Sequence, residues 1–405
     1  MKRQTQAIHT AFARRDAYDA ISMPVYHSVA YEFDDAATMA DAFTNRIDAP
    51  DYSRVENPTV THLEQKVKAL TQATAVTAFN NGMAAISATL ITLAEAGQTI
   101  VTSRHLFGNT FSLIVSTLAR LGIRHRLVDM TNAEEVEAAM DESVCAIFLE
   151  VLTNPQLEVA DLKALSAVAH KWNVPLVADS TAIPFTEHHL HDLGVDIEVV
   201  SSTKYISGGA TSLGGLVIDY GTRTGFNERL KLEVLFNLGG YMTPHAAYMQ
   251  TIGLETLHAR YGVQSANAKA LATRLKAVCS GSDAPSDCPL RAVNYVGLAD
   301  NPYHALAATQ FGPTAGAMLT IDLASEEACF DFLNKLKLIR RATNLFDNRT
   351  LAIHPASTIF GLFTPEELQA MDVHDTTIRL SIGLEDADDL FEDICQALGL
   401  SQLDK

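Results

Sequence analysis

Long apolar runs are missing from this chain: no stretch of about 18 apolar residues occurs, and the opening MKRQTQAIHTAFARRD has no apolar centre. Neither a membrane span nor a signal peptide is therefore expected. Cysteine is scarce, with five residues at 145, 279, 288, 329 and 395, and none stands in CxxC spacing. An odd, scattered set argues against a disulfide framework or a structural zinc site and points to a reducing, cytoplasmic setting. Positive charge is also short: 30 Lys and Arg stand against 48 Asp and Glu, a net charge of -18. Without a basic stripe to offset that repulsion, the charge argues against nucleic acid as a partner. The glycines make neither a GxGxxG nor a GxxxxGK[ST] pattern, so the chain lacks the fingerprints of nicotinamide-dinucleotide and phosphate-loop proteins. Repeats and low-complexity tracts are absent as well, which removes solenoid and disordered readings. What is present is 405 residues, 47% hydrophobic and 19% charged, enough for one large or two to three moderate domains with a sizeable core.

Residues 1–59 show no clear periodicity and are broken by Pro24, Pro50 and Pro58, so they read as an arm. Tyr52 and Arg54 fall there on a loop, either as solvated surface groups or as a phenol and a guanidinium able to reach a ligand. From Val60 helical spacing alternates with short β-rich runs, predicting a parallel α/β domain over 60–255. The run ending at Phe79 leads through Asn80, Asn81, Gly82 and Met83 into a helix, a junction whose free amides suit an anion. TIVTS leads through Phe107 and Gly108 into the next helix. Phe107 is there either core or a flat surface for a planar ligand.

Three further runs share one design. CAIFLE ends at Glu150 before TNP, VPLVAD ends at Asp179 before Ser180 and Thr181, and IEVVSS ends at Thr203 and Lys204. Ligands of open parallel sheets bind outside the carboxyl ends of the strands, so Asn154, Asp179, Ser201, Thr203 and Lys204 are expected around one crevice. Lys204 is either an ordinary exposed lysine or an amine held beside a bound phosphate. His188, His189 and His191 lack the i, i+4 pair of a helical zinc site and read as part of a solvent-facing helix, so no metal is expected. Residues 256–405 continue in helices, pass a loop near Gly281 to Pro289, and close as an α+β domain. Arg379 stands inside the apolar run TTIRLSIGL, where a guanidinium needs a carboxylate from the chain or from a ligand.

In chain order, YSRVENPT, NNGMAA, LFGNT, EVLTNP, VADST, SSTKYISGG, HPAST and IRLSIGLED resemble the Cys/Met-metabolism group of pyridoxal-phosphate enzymes, end to end. ISGGATSLGGLVIDYG and ATNLFDNRTLAIHPASTIF are most similar to its O-acetylhomoserine sulfhydrylase branch. The resemblance implies a fold type I transferase, with a mostly parallel central sheet, helices on both faces, an N-terminal arm and a smaller C-terminal α+β domain. It implies pyridoxal 5'-phosphate held by Lys204 as a Schiff base, with Asp179 on the pyridinium nitrogen. Gly82, Met83, Ser201, Thr203 and Thr181 would bind the cofactor, Phe107 would stack on its ring, and Tyr52 and Arg54 would reach in from a neighbouring subunit. Arg379, Asn154 and Asn344 would grip the substrate carboxylate.

The reaction implied is γ-replacement on O-acetyl-L-homoserine by sulfide, giving L-homocysteine and acetate. A homodimer pairing into a homotetramer is implied too. O-succinylhomoserine sulfhydrylase, cystathionine γ-synthase and a methionine or cystathionine γ-lyase stay open as alternatives, as does an inactive cofactor-binding scaffold. Three departures stand out: Phe107 where many members carry tyrosine, Ser207–Gly208–Gly209 where many have Gly-Gly-His, and Asn80–Asn81 where serines are common. Phe107 can stack but cannot donate a proton, which leaves Tyr52 as the expected acid and mildly favours an ester leaving group.

Overall fold

Asn57 starts the regular part of the chain: its side chain accepts the Thr59 N–H, and Pro58 occupies the first helical turn, where its missing N–H costs nothing. The helix Pro58–Thr71 that follows buries Leu63, Val67 and Leu70. Buried Lys66 on the same helix is compensated by Glu255 at 2.7 Å, which ties it to the helix Pro244–Glu255. The structure, a computed structural model, describes residues 1–10, 12, 16–280 and 288–400.

Among the described residues the first sheet contains β1 (Ala75–Phe79), β2 (Thr99–Ser103), β3 (Arg124–Val128), β4 (Val144–Glu150), β5 (Leu176–Asp179), β6 (Ile197–Val200) and β7 (Gly215–Asp219). Their spatial order is β1-β7-β6-β5-β4-β2-β3. Only β7 runs antiparallel to its neighbours; the other pairs in this sheet are parallel. Alternate residues of these strands feed two different apolar clusters, Ile147 and Leu149 one of them, Ala146 and Phe148 the other. Helices cover both faces, as a sheet buried on both sides requires. This is an α/β fold with a mixed central sheet flanked by helices, the architecture of fold type I.

A second sheet comprises β8 (Ala292–Asn294), β9 (Met318–Asp322), β10 (Arg340–Arg341), β11 (Leu351–Ile353) and β12 (Thr377–Ser381), in the order β10-β11-β12-β9-β8. Asp393, on the final helix Ala387–Ala397, steadies it from behind by accepting the amides of Lys337, Leu338 and Ile339, each at 2.9 Å. Central β12 thereby holds Arg379 where water scarcely reaches, at 2% exposure.

Two expectations change. The arm, expected to lack regular structure, contains the short helices Arg3–His9 and Ala36–Phe43, the second begun by Asp35 accepting the Thr38 N–H. The histidine segment is no solvent-facing helix: it forms a single tight turn, Leu190–Leu193, and His188 is buried with Nε2 against the Ile183 carbonyl at 2.8 Å. Burial pushes that imidazole down to about 4. Gly214 leads straight into β7, which begins at Gly215. The loop expected near Gly281 to Pro289 lies largely outside the described residues. Among those that are described, no helix is long and apolar enough to cross a membrane.

Candidate active site

The carboxyl ends of β4, β5 and β6 open on one side of the sheet. A cavity of about 1120 Å³ lies there, closed by the segments around Asn344, Thr358 and Arg379 of the second sheet's region. The parallel register sets Glu150 opposite Asp179 and Asp179 opposite Val199, so acidic side chains meet at adjacent strand ends. Asp179 is fixed by the Thr181 amide, which donates to Oδ1 at 2.9 Å. Thr181 Oγ1 in turn accepts the Ser201 N–H at 2.8 Å, stitching the ends of β5 and β6 together.

Lys204 leaves the end of β6 on a turn anchored by Tyr205. That ring stacks on Phe346 with centroids 4.0 Å apart, and its hydroxyl accepts the Ala317 N–H at 3.1 Å. The Lys204 Nζ donates to Asn344 Oδ1 at 2.9 Å. Burial chiefly, and the nearby Arg379 charge, bring the amine down to about 8, against the opposing pull of Asp179. Burial also raises the Asp179 carboxyl to about 6, opposed by its bonds with Thr181.

Arg379 resolves one of the alternatives. Its partners are neutral oxygens: Asn154 Oδ1 at 3.1 Å and the carbonyls of Thr343 and Asn344 at 3.2 and 3.4 Å. Nε is buried without a partner, and burial lowers the group to about 9. A guanidinium so placed beside a cavity, with no carboxylate among these partners, has the charge and the planar fork to receive a carboxylate brought by a ligand. Replacing it by lysine, which keeps a charge but loses the planar fork, is expected to raise KM for an α-amino acid by roughly 10²-fold with a smaller change in kcat. Steady-state kinetics of Arg379→Lys check this; an unchanged KM would refute it.

A phosphate-bearing ring fits the remaining wall. Asn81 caps the helix Gly82–Leu93 through the Ala84 N–H and its carbonyl takes the Ala85 N–H, leaving the amides of Gly82 and Met83 without intrahelical partners. A Cβ on Gly82 would meet Ser201 Cβ at 2.6 Å, so only glycine lets that helix end approach the Ser201 hydroxyl. Thr203 also lines the cavity, with its hydroxyl engaged by Gly214 in both directions, at 3.1 and 3.0 Å. Phe107 faces the same space.

The structure thus gathers Gly82, Met83, Phe107, Asn154, Asp179, Thr181, Ser201, Thr203, Lys204, Asn344 and Arg379 on one cavity. Tyr52 and Arg54 stand apart from it. Tyr52 is 40% exposed, and Arg54 donates to the Phe236 carbonyl at 2.5 Å with its guanidinium 5.6 Å from the Tyr52 ring. Glu150, Thr358 and Ser212 line the cavity without having been expected there. Glu150 gives the same signal as Asp179, an acid ending an apolar run; Thr358 and Ser212 lie within HPAST and ISGGATSLGG but give no chemical signal of their own.

Residues 4–399 match the family model described as Cys/Met metabolism PLP-dependent enzyme. The L-methionine γ-lyase of Fusobacterium nucleatum subsp. nucleatum is 35% identical over 398 residues, covering 97% of each chain. The O-acetyl-L-homoserine sulfhydrylase of Corynebacterium glutamicum is 30% identical over 425 residues, 96% of this chain and 95% of that one. A Campylobacter jejuni crystal structure, described as an O-acetylhomoserine (thiol)-lyase with a pyridoxyl-lysine monophosphate residue, superposes with a TM-score of 0.92 at 32% identity. It covers 98% of this chain and 100% of that one.

Proposed function

The chain belongs to the Cys/Met metabolism family of PLP-dependent enzymes, and from that premise we propose that it catalyses γ-replacement on O-acetyl-L-homoserine, with sulfide entering and acetate leaving to give L-homocysteine. Pyridoxal phosphate, when bound, supplies the electron sink that lets protons leave the carbons beside the amino group. The chain's residues do the rest. Lys204 holds the cofactor and then moves protons with an amine that burial has made a competent base near neutral pH. Asp179 balances a proton on the ring nitrogen. Ser201 and the amides of Gly82 and Met83 hold the phosphate, Thr203 joins them by turning its hydroxyl from the Gly214 carbonyl, and Thr181 locks the strand ends that carry them. Phe107 covers the ring. Arg379, Asn154 and Asn344 orient the substrate carboxylate. Asn344 also gives the released Lys204 amine a resting partner, as its 2.9 Å contact supports.

The observation that carries the choice of substrate is Phe107. A leaving thiol needs a proton far more than acetate does, and the aromatic facing this cavity has no hydroxyl to donate. The methionine γ-lyases at 35–36% identity support a second reading, elimination from methionine. Purified enzyme is assayed with O-acetyl-L-homoserine plus sulfide against methionine and cystathionine alone. Dominant homocysteine formation from the ester supports replacement, while dominant release of 2-oxobutanoate from methionine or cystathionine would overturn it.

Tyr52 and Arg54 serve the cavity of a second copy, in a homodimer that pairs into a homotetramer; their position outside the chain's own cavity supports this. Tyr52 of that second copy is then the candidate acid for whatever protonation the ester leaving group requires. Sedimentation during turnover tests the assembly: activity is expected only from dimers or larger species, and a fully active monomer would disprove it.

A further inference from the structure

Glu150 has no part in the scheme above, yet it ends β4 beside the residue that ends β5. Their Cα atoms are paired in register, and both side chains line the same cavity. Its Oε1 accepts the Phe107 N–H at 2.7 Å, and Phe107 is the residue from which the helix Gly108–Ser112 starts. The carboxyl therefore determines where the aromatic ring enters the cavity. A hydrogen bond from one backbone amide is weak compensation for a buried anion, and a second carboxylate at the next strand end makes it weaker still.

The charges facing this pair decide which member keeps the proton. Asp179 has the Thr181 amide on Oδ1 and feels the Lys204 cation. Arg379 and Lys204 both lie on the cavity. The nearest ionisable group on the Phe107 loop, His105, is already held between Glu158 at 2.6 Å and Asp372 at 2.9 Å. Glu198, on the neighbouring strand, is occupied by Ser180 and by the Tyr220 hydroxyl at 2.6 Å. Among the described residues no ion pair joins Glu150 to a cation, and its hydrogen bond is the one from the Phe107 amide.

We propose that Glu150 is a positioning residue that works as a neutral carboxyl group, seating Phe107 through its backbone amide and leaving Asp179 as the negative charge of the cavity floor. Burial and the Asp179 charge both raise the Glu150 carboxyl well above its ordinary value, in keeping with this assignment. A protonated Glu150 accepts from Phe107 with its carbonyl oxygen and keeps its O–H for donation. The inference rests on the functional reading only in treating Asp179 and Phe107 as cofactor contacts.

Glutamine reproduces both features, an oxygen that accepts and a group that donates, whereas alanine removes them. Infrared spectra of the wild type and of E150Q at neutral pH, each with and without pyridoxal phosphate, test the protonation directly. A protonated-carboxyl band in the wild type that is lost in E150Q is the expected result. Kinetics test the positioning: E150A should lose about 10²-fold in kcat, as a displaced reacting group does, and E150Q should recover most of that loss and restore the visible absorbance of bound pyridoxal phosphate. Absence of the band in the wild type, or E150Q failing as badly as E150A, would overturn the proposal. If the wild type takes up no pyridoxal phosphate at all, the functional reading fails instead, and the infrared comparison still decides the state of Glu150.

Discussion

Lys204→Ala is expected to abolish the visible absorbance of the holoenzyme and to lower turnover by roughly 10⁴-fold or more, since the proposed function gives one side chain both the cofactor and the proton transfers. The site shows why no neighbour can substitute. Lys204 is the only lysine on the cavity wall among the described residues. Its amine sits 2.9 Å from Asn344 at the inner end of a turn pinned by the Tyr205–Phe346 stack. Fold stability should change little or improve, because alanine removes a charge whose burial is already unfavourable, as the lowering to about 8 indicates. A thermal melt run beside the assay separates lost chemistry from lost structure. Retention of both absorbance and turnover in Lys204→Ala would remove the basis of the assignment.

Asp179→Asn should have the next largest effect, a loss in kcat of about 10³-fold, because a neutral amide of the same shape cannot balance a proton on the ring nitrogen. Its backbone contacts should survive, since an amide oxygen can still accept the Thr181 N–H that now reaches Oδ1. The cofactor is therefore expected to bind, more weakly and with a shifted absorbance, while turnover collapses. A kcat within about threefold of wild type would show that the ring nitrogen needs no counter-charge from this residue.

The residues legible in the sequence share one property: each interrupts an apolar run at a place where burial is certain. Asp179 ends a strand whose every residue is buried, Lys204 follows another, and Arg379 lies inside a third, so each stands out as a buried group that needs a partner. Asn344 was legible only through the family resemblance, because it lies 140 residues from Lys204 and its own surroundings are unremarkable as sequence. The edge strand β3 escaped notice because Arg124 and Leu127 are exposed and the run RHRLV has no apolar face to announce it. β7 was hidden by its leading glycines. Gly215 is small for a reason that only three dimensions show: a Cβ there would meet the Asn81 carbonyl oxygen at 2.2 Å, directly beneath the turn that opens the Gly82 helix. His188 misled in the opposite direction, since three histidines in four positions look solvated until the fold tucks one against Phe311.

The proposed function places pyridoxal phosphate on a single lysine, Lys204, just past β6 and beside Asp179 and Arg379. Borohydride reduction of the yellow holoenzyme, followed by digestion and peptide mass mapping, tests it most directly. One phosphopyridoxyl group is expected, on Lys204 in the peptide containing SSTKYISGG; an adduct on another lysine, or none from a protein saturated with the cofactor, would contradict this assignment.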